Sequence, residues 1–225
     1  MPFQNRVTPF GEIIAHPARG TLMGNRGCLH DADRQLGDKR WAHQAWVACR
    51  LKFKHWHRPI MSPGVWTELF FTDEAVALAA GHRPCGMCRH GDYMAFQQAF
   101  GRARPELGER PSPGAMNRIL HADRVHSRSR TQITHRDMLE NLPDEVFFTL
   151  PGQAGALVRR GGQIRAWSFD GYSPRDIHPA GDVTVLTPRV TVDVIRAGYP
   201  VSGMARQDGS PLRPTPIAAR KPASI

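Results

Sequence analysis

Long apolar runs are missing from this sequence. The longest of them, such as residues 76–80, stop far short of the roughly 20 residues that a membrane-spanning helix needs. The N-terminal segment, residues 1–7, carries a single basic residue and no apolar core of the length that a secretory signal requires. We therefore expect a cytoplasmic protein without membrane spans.

Cysteine is also scarce, with four residues in a chain of 225. Two of them form Cys85-x-x-Cys88, a spacing that cannot easily link distant segments of a fold. The low count and the close spacing argue against a disulfide framework. They favour metal or thiol chemistry in a reducing compartment.

Acidic residues are outnumbered by basic ones, 20 against 30, which gives a formal net charge of +10 and a sequence pI near 10.3. A field of this sign attracts polyanions, and neutralising phosphates releases their condensed counterions. Nucleic acid is therefore the leading class of partner. The alternative is a basic composition without function, of the kind that accumulates arginine in a GC-rich genome.

Proline and glycine divide the chain into segments and predict an α+β fold. We expect an irregular arm at residues 1–20, a zinc-binding lobe with a small antiparallel sheet and helices at 21–104, and a linker at 105–114. A β-rich second lobe follows at 115–202, with strands at 145–150, 156–159, 164–169 and 183–187 and a short helix starting at Pro188. Residues 203–225 hold four prolines and few large apolar side chains, so they are predicted to be disordered.

Residues 41–53 are predicted to contain a strand with two different faces. The apolar positions alternate along it: Val47, Cys49, Leu51 and Phe53. The basic positions fall between them and beyond: Arg50, Lys52 and Lys54. By the two-residue period of a pleated strand, one face should pack and the other should form a cationic stripe. Trp56 and Arg58 follow and are predicted to extend this surface toward nucleic acid.

A third strand at residues 65–71 leads into a predicted helix and then into the Cys-x-x-Cys pair. Thr72 is the predicted N-cap of the helix, and Gly81 stands where a left-handed C-terminal residue is wanted. Two thiols one turn apart can converge on a tetrahedral ion, and zinc accepts thiolates without redox chemistry. Cys85 and Cys88 are thus half of a predicted zinc site, and a redox pair is the less favoured interpretation.

The same region resembles a known family. Residues 70–89 read FFTDEAVALAAGHRPCGMCR, an aromatic strand end, an alanine-rich segment and a Gly-x-Arg-Pro-Cys-x-x-Cys run. This pattern is similar to the metal-binding domain of the Ada family of DNA alkylation-repair proteins, and the resemblance covers residues 46–100. The resemblance implies a zinc site of four cysteines lying on the DNA backbone, in which one upstream cysteine can accept a methyl group from a phosphotriester.

The sequence departs from that family in the upstream cysteine pair, which is spaced Cys-x-x-x-Cys. Cys49 occupies a comparable position, and the resemblance makes it a metal ligand and the candidate methyl acceptor, but Phe53 stands where the second cysteine should be. Arg83 and Arg89, which flank the downstream pair, are predicted to contact nucleic acid with the cationic stripe. The fourth zinc ligand stays open among five residues: Cys28, His30, His55, His57 and His82.

Three functional alternatives remain at the level of sequence. The first is a zinc-containing nucleic-acid-binding protein, DNA being the expected partner, with a role in DNA repair or processing. The second is an enzyme on the same surface, either a methyl acceptor at Cys49 or a metal-dependent nuclease, and the third is a zinc-stabilised fold with no nucleic-acid role. A further arginine-rich segment, between Arg118 and Arg136, is either a phosphate-contacting surface or a solvated basic loop.

Overall fold

The computed structural model describes residues 1–55, 59–177 and 181–202, and these form an α+β fold with four helices and two six-stranded sheets. This confirms the fold class expected from the sequence. No helix within those ranges combines the length and the apolar character that crossing a membrane requires. The tail that was predicted to be disordered, residues 203–225, lies outside the described residues.

The first sheet brings together strands from the first 84 residues in the order β2-β1-β5-β3-β4-β6. The strand bounds are β1 Gln4–Val7, β2 Ile13–Ala15, β3 Leu22–Asn25, β4 Val47–Arg50, β5 Leu69–Phe71 and β6 Arg83–Pro84. Two of its pairs, β1 with β5 and β4 with β6, are parallel, so the sheet is mixed and not purely antiparallel as expected. Strand β1 lies in the segment for which the sequence suggested an irregular arm.

Four helices cover the two sheets: α1 Glu74–Ala79, α2 His90–Ala103, α3 Pro113–Arg124 and α4 Arg189–Arg196. The N-cap of α1 is Asp73 and not Thr72, because the Asp73 side chain accepts a hydrogen bond from the Val76 N–H at 3.0 Å. Gly81 follows the helix with φ +80°, the left-handed conformation predicted for it. The predicted linker contains a 3₁₀ turn, Pro105–Leu107, and the start of α3.

The second sheet is antiparallel throughout, with the order β11-β10-β9-β8-β12-β7. Its strands are β7 His135–Met138, β8 Phe147–Thr149, β9 Leu157–Arg160, β10 Gln163–Ser168, β11 Gly171–Pro174 and β12 Asp182–Val185. Four of the six match the predicted strands closely. The two at the edges, β7 and β11, were not predicted.

Strand β8 separates two hydrophobic cores. Phe147 and Phe148 are both fully buried, and because successive residues of a strand point to opposite faces they enter different clusters. Phe148 packs with the apolar faces of α2, α3 and α4, whereas Phe147 packs with α1 and the first sheet. Helix α1 is buried along its whole length, which explains its run of small apolar residues. The sheets are therefore joined by shared packing around α1 and β8.

Candidate metal centre and nucleic-acid interface

Parallel pairing of β4 with β6 brings Cys49 to the Cys-x-x-Cys pair. Val47 is in register with Arg83 and Ala48 with Pro84, so Cys49 lies beside Cys85. The Cys85 N–H donates to the Ala48 carbonyl at 3.0 Å, which fixes the start of the turn that carries both downstream thiols. The sulfurs of Cys49, Cys85 and Cys88 all lie within 4.8 Å of one another. Thiolates around a tetrahedral zinc ion, at about 2.3 Å each, are about 3.8 Å apart, so little movement is needed to close on an ion.

Backbone N–H groups point at the sulfurs of this cluster. The Arg50 N–H donates to Cys88 Sγ at 3.4 Å, and the backbone of Cys88 and Met87 hydrogen-bonds to the Cys85 thiol. The turn is closed by the Arg89 N–H, which donates to the Cys85 carbonyl at 3.1 Å before α2 begins. Donors arranged around sulfur stabilise negative charge there, and thiolates are the species that bind metals.

The pKa values of the three thiols are shifted in different directions. A hydrogen bond from the Cys49 thiol, opposed by burial and helped by the backbone donors, lowers the pKa of Cys85 to about 5. Cys49, as the donor of that bond and itself partly buried, has its pKa raised. Burial also raises the pKa of Cys88. Without a cation the cluster therefore carries its first negative charge on Cys85, and a cation would stabilise the other two thiolates.

The structure describes four of the five candidates for a fourth ligand, and none of the four lies at the cysteine cluster. Within the described residues no histidine or carboxylate joins the three cysteines. His30 instead contacts Thr67 Oγ1 and the Ser62 carbonyl, and buried His82 accepts from Arg26 at 3.3 Å. Cys28 and His55 are exposed and stand apart from the cluster, while His57 lies outside the described residues.

The predicted faces of the strand at β4 are wrong in two respects. Ala48 is the core residue, 2% exposed, and Cys49 points the other way, toward the downstream cysteines. The strand also ends at Arg50, so Leu51 is exposed and not packed. The reason is that the strand's N-terminal neighbour, Trp46, is fully buried and sets the phase of the pleat.

The basic residues of the stripe nevertheless stay at the surface. Arg50, Lys52 and Lys54 are all exposed, the first at the end of β4 and the other two in the loop that follows it. The Arg50 backbone is bonded to Cys88, so its side chain starts directly beside the thiol cluster. Trp56 and Arg58, predicted to continue this surface, lie outside the described residues.

Arg83 and Arg89 are enclosed within the molecule, where they cannot serve the surface role expected of them. Arg83 is 5% exposed, and its guanidinium donates to Asn117 on α3 and to the Pro84 carbonyl. Arg89 is 4% exposed and pairs with Glu74 at 2.7 Å and with Asp92 at 2.8 Å. Burial alone would lower the pKa of Arg89, but Glu74 and its neighbours outweigh it and raise that pKa. Both arginines position the turn of the cysteine pair from within.

A cationic cluster that the sequence did not reveal lies behind the thiol site. The ring of Trp46 is sandwiched between two buried guanidinium groups, with Arg26 Cζ 4.1 Å and Arg124 Cζ 3.7 Å from its centroid. Burial and the charge of Arg40 lower the pKa of Arg26 to about 9, and burial with the Arg26 charge lowers that of Arg124. No single local signal marks this cluster, because its members come from three distant segments.

Comparison of the chain with protein-family models, with curated proteins and with solved structures finds no significant match in any of the three.

Proposed function

We propose that this protein binds zinc through Cys49, Cys85 and Cys88 and that the zinc site supports a nucleic-acid-binding surface, with DNA as the expected partner. The observation that carries the proposal is the convergence of three sulfurs within 4.8 Å from two separate segments of the chain. An all-sulfur donor set of this kind suits zinc better than magnesium or calcium, which take oxygen ligands. Bound zinc would hold β4 to the turn before α2.

The nucleic-acid part of the proposal rests on charge and on the resemblance to the Ada metal-binding domain. Arg50, Lys52 and Lys54 are exposed next to the cysteine cluster and offer donors for phosphate oxygens. The formal net charge of +10 favours the same class of partner. A role in DNA repair or processing follows from the resemblance alone, so it has no support if the resemblance is wrong.

Metal content of the purified protein tests the zinc site. We expect the wild-type chain to carry zinc, and the Cys85→Ala variant to lose most of it. Cys28→Ala is the matched control, because Cys28 is an exposed thiol outside the cluster. Equal zinc in both variants, or a wild-type protein that stays metal-free when refolded with zinc, would contradict the site.

Binding to a labelled DNA duplex, measured over a series of salt concentrations, tests the surface. True phosphate contacts make the affinity fall steeply with salt, by a log–log slope of about 0.9 per contact on duplex DNA. The Arg50→Ala/Lys52→Ala variant should lose about two units of that slope if both side chains contact phosphates. Its matched control is Arg110→Ala/Arg175→Ala, which removes two exposed charges elsewhere. A salt-independent or undetectable affinity of the wild-type protein would end the nucleic-acid proposal.

A second candidate function, methyl acceptance at Cys49, is favoured by the position of this thiol. Cys49 and Cys85 are both only partly buried, whereas Cys88 is 8% exposed, and of the two Cys49 is the one that directly precedes the exposed Arg50. In such a reaction Cys49 would react as the thiolate, having released its proton to solvent on binding the metal. The thiolate attacks the methyl carbon of a phosphotriester, an S–CH₃ bond forms, the O–CH₃ bond breaks, and the phosphodiester anion leaves. Mass spectrometry after incubation with methylated DNA should then find the added methyl group on Cys49. An unmodified Cys49 would rule this candidate out and leave DNA binding intact.

A further inference from the structure

A rigid basic turn closes the hairpin that follows α3. We call residues 126–131, His-Ser-Arg-Ser-Arg-Thr, the arginine turn. The His126 N–H donates to the Thr131 carbonyl at 2.9 Å, and the Arg130 N–H donates to the His126 carbonyl at 2.8 Å. At the base, Val125 pairs with Gln132, whose side-chain amide nitrogen lies 2.9–3.0 Å from three carbonyl oxygens, those of Pro9, Ala79 and Leu186. The turn is therefore held in one conformation by its backbone and its base.

The surface of the arginine turn is suited to phosphate. All six of its residues are exposed, and none is acidic. They present the guanidinium groups of Arg128 and Arg130 with three hydroxyl side chains, and Ser129 and Thr131 are hydrogen-bonded to each other at 2.7 Å. Arg128 makes no hydrogen bond or ion pair within the part of the chain that the structure describes. Arg130 adopts a φ of +60°, a conformation uncommon for a residue with a side chain.

A second basic segment is attached to this turn. The Arg130 guanidinium donates to the Asp38 carbonyl and so ties the arginine turn to the loop that precedes β4. That loop continues with exposed Lys39 and half-buried Arg40, whose guanidinium donates to the Gly37 carbonyl. Residues 92 positions apart in the sequence thus contribute to one basic surface.

The two buried arginines behind Trp46 add to the positive potential of this surface. Arg124 lies one residue before the hairpin and donates to the carbonyls of Gly81 and Gln44, and Arg26 donates to those of Gly11 and Ala80. Neither guanidinium has a carboxylate within ion-pair distance among the described residues. Arg124 Nε is buried and lacks any partner there. Because their charge is not neutralised inside the protein, it strengthens the field at the nearby surface.

The arginine turn and the cysteine site are close enough for one extended ligand to contact both. Arg124 contacts the Gln44 carbonyl, and Gln44 is five residues from Cys49, at most about 17 Å along an extended strand. That bound ends at Arg124, two residues before the arginine turn, and two further residues add about 7 Å, so the separation stays below the roughly 34 Å of one turn of a DNA duplex.

We propose that the arginine turn, with Lys39 of the attached loop, is a second contact surface for the phosphate backbone of the nucleic acid that binds beside the cysteine cluster. This inference rests on the proposed function, because it needs a nucleic-acid partner. It assigns to residues 126–131 the phosphate-contacting role that the sequence left open against a solvated loop. The surface reads no base edge in this role, so it contributes affinity and orientation and not sequence preference.

The test compares the Arg128→Ala/Lys39→Ala variant with the Arg110→Ala/Arg175→Ala control in the salt series with a labelled DNA duplex. Both variants lose two positive charges from exposed side chains, and Arg110 lies at the opposite end of α3, about 18 Å away by the rise of a 12-residue helix. Arg130 is left intact because it ties two loops together. We expect the turn variant to lose about two units of the salt slope and the control to lose less than one.

Each other result overturns the inference in a recognisable way. If the turn variant matches the control while Arg50→Ala/Lys52→Ala loses slope, the second surface is wrong and the proposed function stands. If the wild-type protein does not bind DNA, the proposed function and the second surface fall together. If the wild-type protein binds vesicles of anionic lipid but not DNA, the surface belongs to a membrane partner and the inference is wrong.

Discussion

Replacing Glu74 with glutamine should destabilise the fold at the junction between α1, α2 and the C-terminal end of the described chain. The Glu74 carboxylate is 2% exposed and accepts three hydrogen bonds, from the Arg89 guanidinium at 2.7 Å, the Tyr199 hydroxyl at 2.6 Å and the Ser202 N–H at 2.8 Å. Glutamine keeps the shape and one acceptor oxygen, but it removes the charge that compensates Arg89. Breaking a buried ion pair by removing one partner costs about 3–5 kcal/mol. Asp92 still contacts Arg89 from the surface side, so we expect a loss near the lower limit.

The assay is urea-induced unfolding of the purified protein, with the free energy of unfolding taken by linear extrapolation. Glu106→Gln, at an exposed position, is the matched control and should change stability by no more than about 0.5 kcal/mol. Arg89→Met should also be costly, and the double variant should lose at least about 1 kcal/mol less than the sum of the single losses, because it leaves no unpaired charge in the interior. A loss below about 1 kcal/mol for Glu74→Gln would refute this account of the pair. A change in the DNA salt slope for Arg89→Met, with stability unaltered, would restore Arg89 as a nucleic-acid contact.

Three further predictions concern stability. Gly81→Ala should destabilise the fold by more than about 1 kcal/mol, since Gly81 has φ +80° and an added Cβ would lie 2.5 Å from Arg124 Cδ; thermal unfolding measures this. Gly91→Ala should stabilise by up to about 1 kcal/mol in the same measurement, because Gly91 is in α2 and a Cβ there meets no atom within 4 Å. His82 is fully buried, and burial followed by the charges of Arg26 and Arg124 lowers its pKa. As the pH falls below about 6.5, His82 becomes protonated in the unfolded state but not in the folded state. Its contribution to the free energy of unfolding is therefore complete above about pH 6.5 and falls by about 1.4 kcal/mol per pH unit below it. The His82→Phe variant should show a flatter pH dependence of stability.

The fold was predictable where apolar periodicity is strong. Strands β8, β9, β10 and β12 each contain buried apolar residues bounded by glycine or proline, and the sequence located all four. Strands β1, β7 and β11 are short and rich in polar residues, as in Gln4–Val7 and His135–Met138. Such strands form because a neighbouring strand offers backbone partners, and that information is not local in the sequence.

Only the part of the site formed by residues close together in the sequence was predictable from the sequence. Cys85 and Cys88 follow from their spacing, and Cys49 was reached only through a family resemblance, since its approach depends on parallel pairing of β4 with β6. Arg83 and Arg89 illustrate the opposite case. An arginine beside a thiol pair suggests a surface contact until its buried partner is known, which for Arg89 is Glu74.

Strand β4 couples the thiol site to the protein interior. Trp46 and Ala48 face the core, and Cys49, one residue on, faces the other cysteines, so any shift of the strand that moves the Cys49 sulfur also moves the Trp46 ring. That ring lies between two guanidinium groups whose carbonyl acceptors come from three separate places, the loop at Gly11, the loop at Gln44, and the end of α1 at Ala80 and Gly81. Because close-packed interiors transmit strain, an ion that draws three sulfurs together would restrict this whole cluster. The arginine turn begins two residues after Arg124, so metal binding at the three cysteines would be expected to restrict the base of this turn as well.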